Sequence, residues 1–337
     1  MKHKLSITLL LLFMFIVTQG IGILVLNEYA PTISEVYNES TGQVDIVAER
    51  ETLPFGMEYE EEQGAAGTFL SLITALIIAI LAYMFLMRYD MKIVIRIWFM
   101  LVIFLALGLA LFPFVAKYTE HASLVAAIIA IPLVYFKIIK PNVYVHNITE
   151  LLIYPGIAVV LVALLYLPSN EMGSIVIAIS LLVLISIYDA WAVWKSGIMQ
   201  KMAAYQMEQL NIFGGFLIPT MSKKDKAKLQ KLRKDYKEKK KLGKEAQKKK
   251  IKINLAILGG GDVIFPIITA GIFMWAFPEQ ALFGIRGLIP ALFIMLGALA
   301  GLIYLFINTE KGKAYPAMPY ISAGIFAGMI LWKLIIP

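Results

Sequence analysis

Nine apolar stretches run through the chain, at about residues 5–26, 65–87, 93–112, 122–139, 148–167, 173–194, 255–277, 287–307 and 315–336. A helix rises ~1.5 Å per residue, so ~20 apolar residues cross the hydrocarbon core of a bilayer. The pattern therefore predicts an all-α polytopic membrane protein with nine transmembrane helices. The first stretch follows Met1-Lys2-His3-Lys4. It is longer than the ~7–15-residue core of a signal peptide, and Val17-Thr18-Gln19-Gly20 is a poor cleavage site, so it is read as a retained helix. Pro132 and Pro155-Gly156 lie inside apolar stretches, where neighbouring helices can satisfy the freed carbonyls. Pro113 and Lys117 are placed in a short loop.

Polar segments divide the chain into residues 1–194 with six helices, a loop at 195–254, and residues 255–337 with three helices. Residues 27–64 carry ten Asp/Glu against the single Arg50 and read as a solvated loop. Asn38-Glu39-Ser40 within it is a glycosylation sequon, a triplet common by chance. Residues 195–254 hold 18 Lys/Arg against 5 Asp/Glu, a net +13. Basic loops stay in the cytoplasm. With the N-terminus inside, Arg88 and Lys92, Lys137 and Lys140, the +13 loop, and Lys311 and Lys313 are all cytoplasmic. The acidic segment 27–64, Ser169-Asn170-Glu171 and Pro278-Glu279 then lie outside. The orientation is N-terminus cytoplasmic and C-terminus extracytoplasmic, in the cell membrane. The Lys-rich stretch 222–252 suits anionic headgroups. No aromatic interleaving accompanies it, so nucleic acid is not an expected partner. The patch 212–219 is apolar but too short to span, and reads as a re-entrant or interfacial piece.

Composition agrees: 60% of residues are hydrophobic and 16% charged, against about 25% charged in soluble domains. There is no cysteine, and His3, His121 and His146 are far apart in sequence. His146-Asn147-Ile148-Thr149-Glu150 lacks the spacing of HExxH, and no GxSG occurs. Neither a metal site nor a cofactor is expected.

Two aspartates stand out. Asp189 lies near the end of the sixth stretch and Asp262 near the start of the seventh. An ionised carboxylate at membrane depth costs at least ~2.5–3.5 kcal/mol. Each could instead pair with a lysine or line a polar seam between helices. The topology puts both roughly 8–11 Å inside the cytoplasmic boundary at ~1.5 Å per residue. Helices joined by a cytoplasmic loop run antiparallel, so the carboxylates can face each other. Close carboxylates in a low-dielectric site cannot both ionise easily and share a proton. One can then take a proton from water while the other hydrogen-bonds a scissile carbonyl.

Gly259-Gly260-Gly261 removes three side chains beside Asp262, allowing close approach of a helix or an extended substrate. Ordinary small-residue packing would use the same glycines. Pro316 and Pro319 distort the start of the ninth helix, although proline is also common at helix N-termini. Pro290-Ala291 lies near the outer end of the eighth, far from the aspartates.

With Tyr188-Asp189, Gly259-x-Gly261-Asp262 and Pro316-Ala317-Met318-Pro319 in the sixth, seventh and ninth helices, the chain resembles the presenilin and signal peptide peptidase family of intramembrane aspartyl proteases. The family's third motif is usually Pro-Ala-Leu, and Met318 replaces the leucine. The resemblance covers essentially the whole chain. It implies cleavage of substrate transmembrane segments by Asp189 and Asp262. Tyr188, Gly259, Gly260, Gly261, Pro316, Ala317, Met318 and Pro319 would support the site and substrate. Residues 212–219 fall where the family has mobile structure, and are expected to pair with substrate as a strand. Presenilins are assembled with partner subunits and signal peptide peptidases are not; no obligatory partner is expected here. The orientation is the presenilin one and favours substrates with an outside N-terminus. The Cys-free, Lys-rich composition suggests a prokaryotic, archaeal homologue.

Two other functions fit parts of the pattern. A prepilin-type peptidase also uses GxGD but cuts a membrane-proximal leader. A proton-coupled transporter or cation leak pathway could use the same aspartates as carriers.

Overall fold

The computed structural model describes residues 5–38, 43–49, 53–57, 64–196, 205–206, 214–220, 254–309 and 315–336. The expectations attached to residues 1–4, to Glu39 and Ser40 of the sequon, to residues 212–213, to the Lys-rich stretch 222–252, and to Lys311 and Lys313 lie outside these.

Among the described residues there are nine α-helices: α1 (Leu5–Glu28), α2 (Gly64–Arg88), α3 (Lys92–Ala116), α4 (Ala122–Ile138), α5 (Val143–Leu165), α6 (Glu171–Trp191), α7 (Gly260–Ala276), α8 (Leu288–Asn308) and α9 (Met318–Ile335). Seven are long and apolar enough to cross a membrane, while α4 and α7 have 17 residues each. The fold is that of a polytopic helical membrane protein. α6 continues as a π-helical turn over Ala192–Ser196.

Three local expectations are corrected. Pro113 lies inside α3 rather than in a loop. Proline removes one N–H, and packed neighbours hold the helix through it. α5 starts at Val143, because the Asn142 side chain accepts the Tyr144 N–H and caps it. The helix thereby takes in His146 and Asn147, which face inward. Lys137 is not a cytoplasmic surface charge. It is 5% exposed, and its Nζ lies 2.6 Å from Glu150 Oε1.

The fold is not all-α. β1 (Thr32–Asn38) and β2 (Gln43–Glu49) form an antiparallel pair inside the acidic segment. Ile33, Val36, Tyr37, Val44, Ile46 and Val47 are strand formers that its overall acidity obscures. β3 (Gly215–Thr220) and β4 (Asn254–Gly259) form a second antiparallel pair, with Gly215 opposite Gly259 and Leu217 opposite Ile257. Residues 255–259 are therefore strand, not the first turns of the seventh helix. Gly259 has φ −63° and ψ 145°, an extended conformation. Successive glycines each weaken a helix by up to ~1 kcal/mol, so the helix begins only once β4 has ended.

α7 is the centre of the bundle and touches α1, α5, α6, α8 and α9. All its residues from Pro266 to Ala276 are buried. At its far end, Trp275 Nε1 donates to Leu26 O at 3.1 Å, and Tyr166 Oη donates to Trp275 O at 3.1 Å. α8 and α9 meet backbone to backbone through Gly297 and Gly301 on one helix and Gly324 and Gly328 on the other. A Cβ on Gly297 would stand 2.2 Å from Gly324 O. Lipid supplies no hydrophobic force between helices, so small residues that permit close packing hold such pairs together. This contact fixes α9, whose first turn reaches the candidate site.

Candidate active site

α6 brings Asp189 to its last turn, where the residue is 7% exposed. Its Oδ2 accepts the Met318 N–H at 3.0 Å, and the Ala317 N–H also bonds the carboxylate. Ala317 is the N-cap of α9, and Pro stands in that helix's first turn. The first N–H groups of a helix have no intrahelical acceptor and carry the positive end of the helix dipole. Asp189 supplies the acceptor from another helix. Pro316, Met318 and Pro319 shape this start: Pro316 and Met318 are buried, and Pro319 is half-buried. One turn earlier, Ser186 Oγ lies 2.8 Å from Ser322 Oγ and ties α6 to α9.

Asp262 is the third residue of α7, and its carboxylate accepts the Gly259 N–H. It too sits at a helix start. Pro266, four residues on, offers no N–H to the Asp262 carbonyl, which loosens this first turn. Asp262 is half-buried, and Asp189 lies within its electrostatic reach. The buried ion pair of the described residues lies elsewhere, at Lys137 and Glu150.

A cavity of about 120 Å³ opens beside Asp262, lined also by Ile257, Leu258, Leu302, Phe306, Tyr315 and Ala317. It joins β4, α8 and the approach to α9. Its lining is mostly apolar, with Asp262, Thr309 and Tyr315 as the polar members. Among the described residues, no group of three His, Asp or Glu is placed to hold a metal ion.

The three glycines have separate surroundings. A Cβ on Gly259 would stand 3.1 Å from Asp262 Oδ2, and one on Gly260 would stand 3.0–3.3 Å from the Tyr154 ring and hydroxyl. Gly261 is exposed, and its Cβ would meet only Phe265, at 3.8 Å. Gly260→Ala is expected to destabilise the protein by about 1–3 kcal/mol through overpacking. Gly261→Ala is expected to leave stability within about 0.5 kcal/mol, as a surface change does. Thermal unfolding of both variants checks this, and any loss of activity at Gly261 then reports on what approaches from outside.

The structure thus gathers Asp189, Asp262, Gly259, Gly260, Ala317 and Met318 around the starts of α7 and α9. Tyr188 does not join them: it is 41% exposed, with its ring centroid 6.2 Å from that of Trp191.

Several neighbours escaped the motif reading. Tyr154, 2% exposed, packs under Gly260 and meets Phe216 edge-on at 5.5 Å. Gln19 on α1 donates to Val263 O at 3.0 Å, next to Asp262. His146 Nε2 lies 2.8 Å from Gly215 O. The Asn147 amide takes both backbone groups of Leu217, donating to its O at 2.8 Å and accepting its N–H at 2.9 Å. These last contacts cover the outer edge of β3. In an antiparallel pair, a residue's N–H and C=O point the same way, and facing residues alternate between bonded and unbonded pairs. Because Leu217 turns its groups to Asn147, Ile257 opposite must turn its own away from β3. The apolar patch expected to offer a strand to substrate is therefore paired with β4 on one edge and held on the other at Gly215 O and Leu217. The outward edge of this sheet belongs to β4, which borders the cavity. His146, Glu150 and Tyr154 fall four apart along an apolar helix, and that spacing was the available signal for this face of α5.

The sequence profile of the family described as signal-peptide peptidase, presenilin aspartyl protease matches residues 56–336. No curated protein sequence matches the chain. Among solved structures, a presenilin family intramembrane aspartate protease in a C222 crystal form is 19% identical, with a TM-score of 0.57, over 97% of this chain and 99% of that one. A presenilin family intramembrane aspartate protease in a P2 crystal form is 18% identical, with a TM-score of 0.55, over 96% of each chain. At that identity the likeness bears on the fold.

Proposed function

This chain belongs to the signal-peptide peptidase and presenilin family of aspartyl proteases, and from that premise we propose that Asp189 and Asp262 are its catalytic pair. The protein is an intramembrane aspartic endopeptidase. The observation that carries the assignment is the matched setting of the two carboxylates. Each is bonded by backbone N–H groups at the start of a helix, within electrostatic reach of the other. Helix starts favour the ionised carboxylate, while two nearby negative charges oppose each other, so the pair holds one proton between them. The ionised member takes a proton from water. The protonated member hydrogen-bonds the scissile carbonyl oxygen. The water oxygen bonds to the carbonyl carbon, giving a tetrahedral diol with no covalent enzyme intermediate. Breaking of the C–N bond passes a proton to the leaving nitrogen and yields a new carboxyl group and amine. The pair acts as a unit, and neither residue is assigned a fixed role.

Gly259, Gly260 and Gly261 keep the turn before Asp262 free of side chains. Pro316, Ala317, Met318 and Pro319 shape the start of α9, while Tyr188 precedes Asp189 on α6 with its ring turned to Trp191. Substrate is proposed to enter as an extended strand on the outward edge of β4, through the backbone groups of Ile257 and Leu255. All nine helices are proposed to span the cell membrane, α4 and α7 with 17 residues each and α7 buried among its neighbours from Pro266 to Ala276. The N-terminus is cytoplasmic, the C-terminus extracytoplasmic, and the segment 195–254 cytoplasmic against anionic headgroups. The three-part division at residues 194 and 254 follows from this topology. The polypeptide is proposed to act without an obligatory partner subunit.

The test uses purified full-length protein in liposomes with a single-span reporter and an entrapped pH dye. Product masses that place the cut inside the span support the proposal. Cuts confined to a membrane-proximal leader would replace it with the prepilin-type reading. Proton flux without cleavage would replace it with transport.

A further inference from the structure

We propose that Asn147 is a positioning residue, a fixed surrogate strand for β3 that sets the register at which substrate meets the two aspartates. The inference rests on the reading above, in which Asp189 and Asp262 cleave a segment aligned on β4.

One carboxamide supplies what a neighbouring strand would supply, a donor to Leu217 O and an acceptor for Leu217 N–H. His146 continues the contact two residues earlier on the same edge. Lys137 Nζ lies 3.1 Å from His146 Nδ1, and an ammonium can only donate, so Nδ1 is the acceptor. The proton of the neutral ring then sits on Nε2, which donates to Gly215 O at 2.8 Å. Pro219, the next outward position of β3, has no N–H to satisfy. The edge is thereby closed at Gly215 O and at both backbone groups of Leu217.

The clasp has a rigid base. Lys137 is also held by Glu150 Oε1 at 2.6 Å, and the Lys137, His146 and Glu150 side chains are 3%, 10% and 2% exposed. They sit on α4 and α5. Next on this face is Tyr154, which packs under Gly260. α5 therefore grips the sheet at β3 and supports the turn before Asp262 with the same face.

Register follows from this grip. Gly215 faces Gly259, the last residue of β4, and Asp262 comes three residues later. A substrate strand on the outward edge of β4 is measured against this same sheet. A slip of one residue moves a strand by ~3.4 Å, enough to bring a different peptide bond to the carboxylates. A one-residue slip between β3 and β4 would turn buried Phe216, Ile218, Ala256 and Leu258 out of the core, so their burial resists it. A polar clasp on the backbone does so whatever the side chains are.

The test compares wild type, Asn147→Ala and Asn147→Asp as full-length protein in liposomes. Reporter products are read by mass, with KM, kcat, thermal unfolding and hydrogen exchange of the peptide 214–220. Asn147→Ala is expected to spread the cut over neighbouring bonds and to raise KM about tenfold, the scale of two neutral hydrogen bonds. Exchange at Leu217 is expected to rise while kcat stays within about twofold. Asn147→Asp keeps the acceptor for Leu217 N–H but sets a carboxylate oxygen against Leu217 O, so it should give a spread at least as wide as Asn147→Ala. A folded variant with unchanged products and KM overturns the proposal. So does a loss of thermal stability or active fraction with the product distribution unmoved, which is what a purely structural role would produce. If Asn147→Ala does not fold, the same criteria apply to Asn147→Asp. Cleavage by wild type that survives Asp262→Asn would instead defeat the underlying reading, whatever Asn147 does.

Discussion

Asp189→Asn and Asp262→Asn are each expected to lower kcat/KM for a spanning reporter by about 10⁴-fold, with the double variant no slower than the worse single. Asparagine keeps a side-chain oxygen. The bond from Met318 N–H at position 189 and that from Gly259 N–H at position 262 can therefore persist. Both helix starts stay capped, and the fold should be retained. What asparagine cannot do is carry the shared proton. Residues that act as one unit lose their effect together, so the second substitution adds little. Single-turnover cleavage with thermal unfolding of all three variants checks this. Two losses that multiply would mean that the carboxylates act at separate steps.

The second large effect concerns stability rather than chemistry. Lys137→Met and Glu150→Gln are each expected to cost about 3–5 kcal/mol, because each leaves a buried partner without its compensating group. The Lys137→Met/Glu150→Leu double variant should recover part of that loss, since apolar residues of similar size often replace a buried pair at little cost, while His146 Nδ1 is left without its donor. Reversible unfolding in detergent micelles gives the three values. Single substitutions within about 0.5 kcal/mol of wild type would mean that water reaches the pair and that its burial has little energetic effect.

The bundle was legible because lipid imposes a length and a composition on every crossing helix, and the apolar runs around α1, α2, α6, α8 and α9 show both. The aspartates were legible for the opposite reason: a carboxylate in such a run is expensive enough to need a use. Boundaries at polar interruptions were less accessible. His146 and Asn147 read as loop because they are polar, whereas Asn142 caps a helix that carries both inward to β3. β4 was hidden for a related reason. Asn254 to Leu258 is as apolar as a helix start, and only the pairing with β3, distant in sequence, makes it a strand. Lys137 looked like a topology signal because charge alone does not reveal a buried partner, and Glu150 lies on the next helix. The glycines read alike in the sequence, and only contacts separate Gly260, packed on Tyr154, from exposed Gly261.

The claim that Asp189 and Asp262 form one site for a tetrahedral intermediate is tested most directly by binding. The probe is a spanning peptide whose scissile amide is replaced by a hydroxyethylene group, compared with the same peptide carrying a plain methylene pair. Transition-state mimics bind at least ~10²-fold tighter than ground-state analogues when the site is built for the transition state. Such a preference is expected in wild type, and its loss in both Asp189→Asn and Asp262→Asn. Equal affinity for the two peptides in wild type, or a preference that survives either substitution, would contradict it.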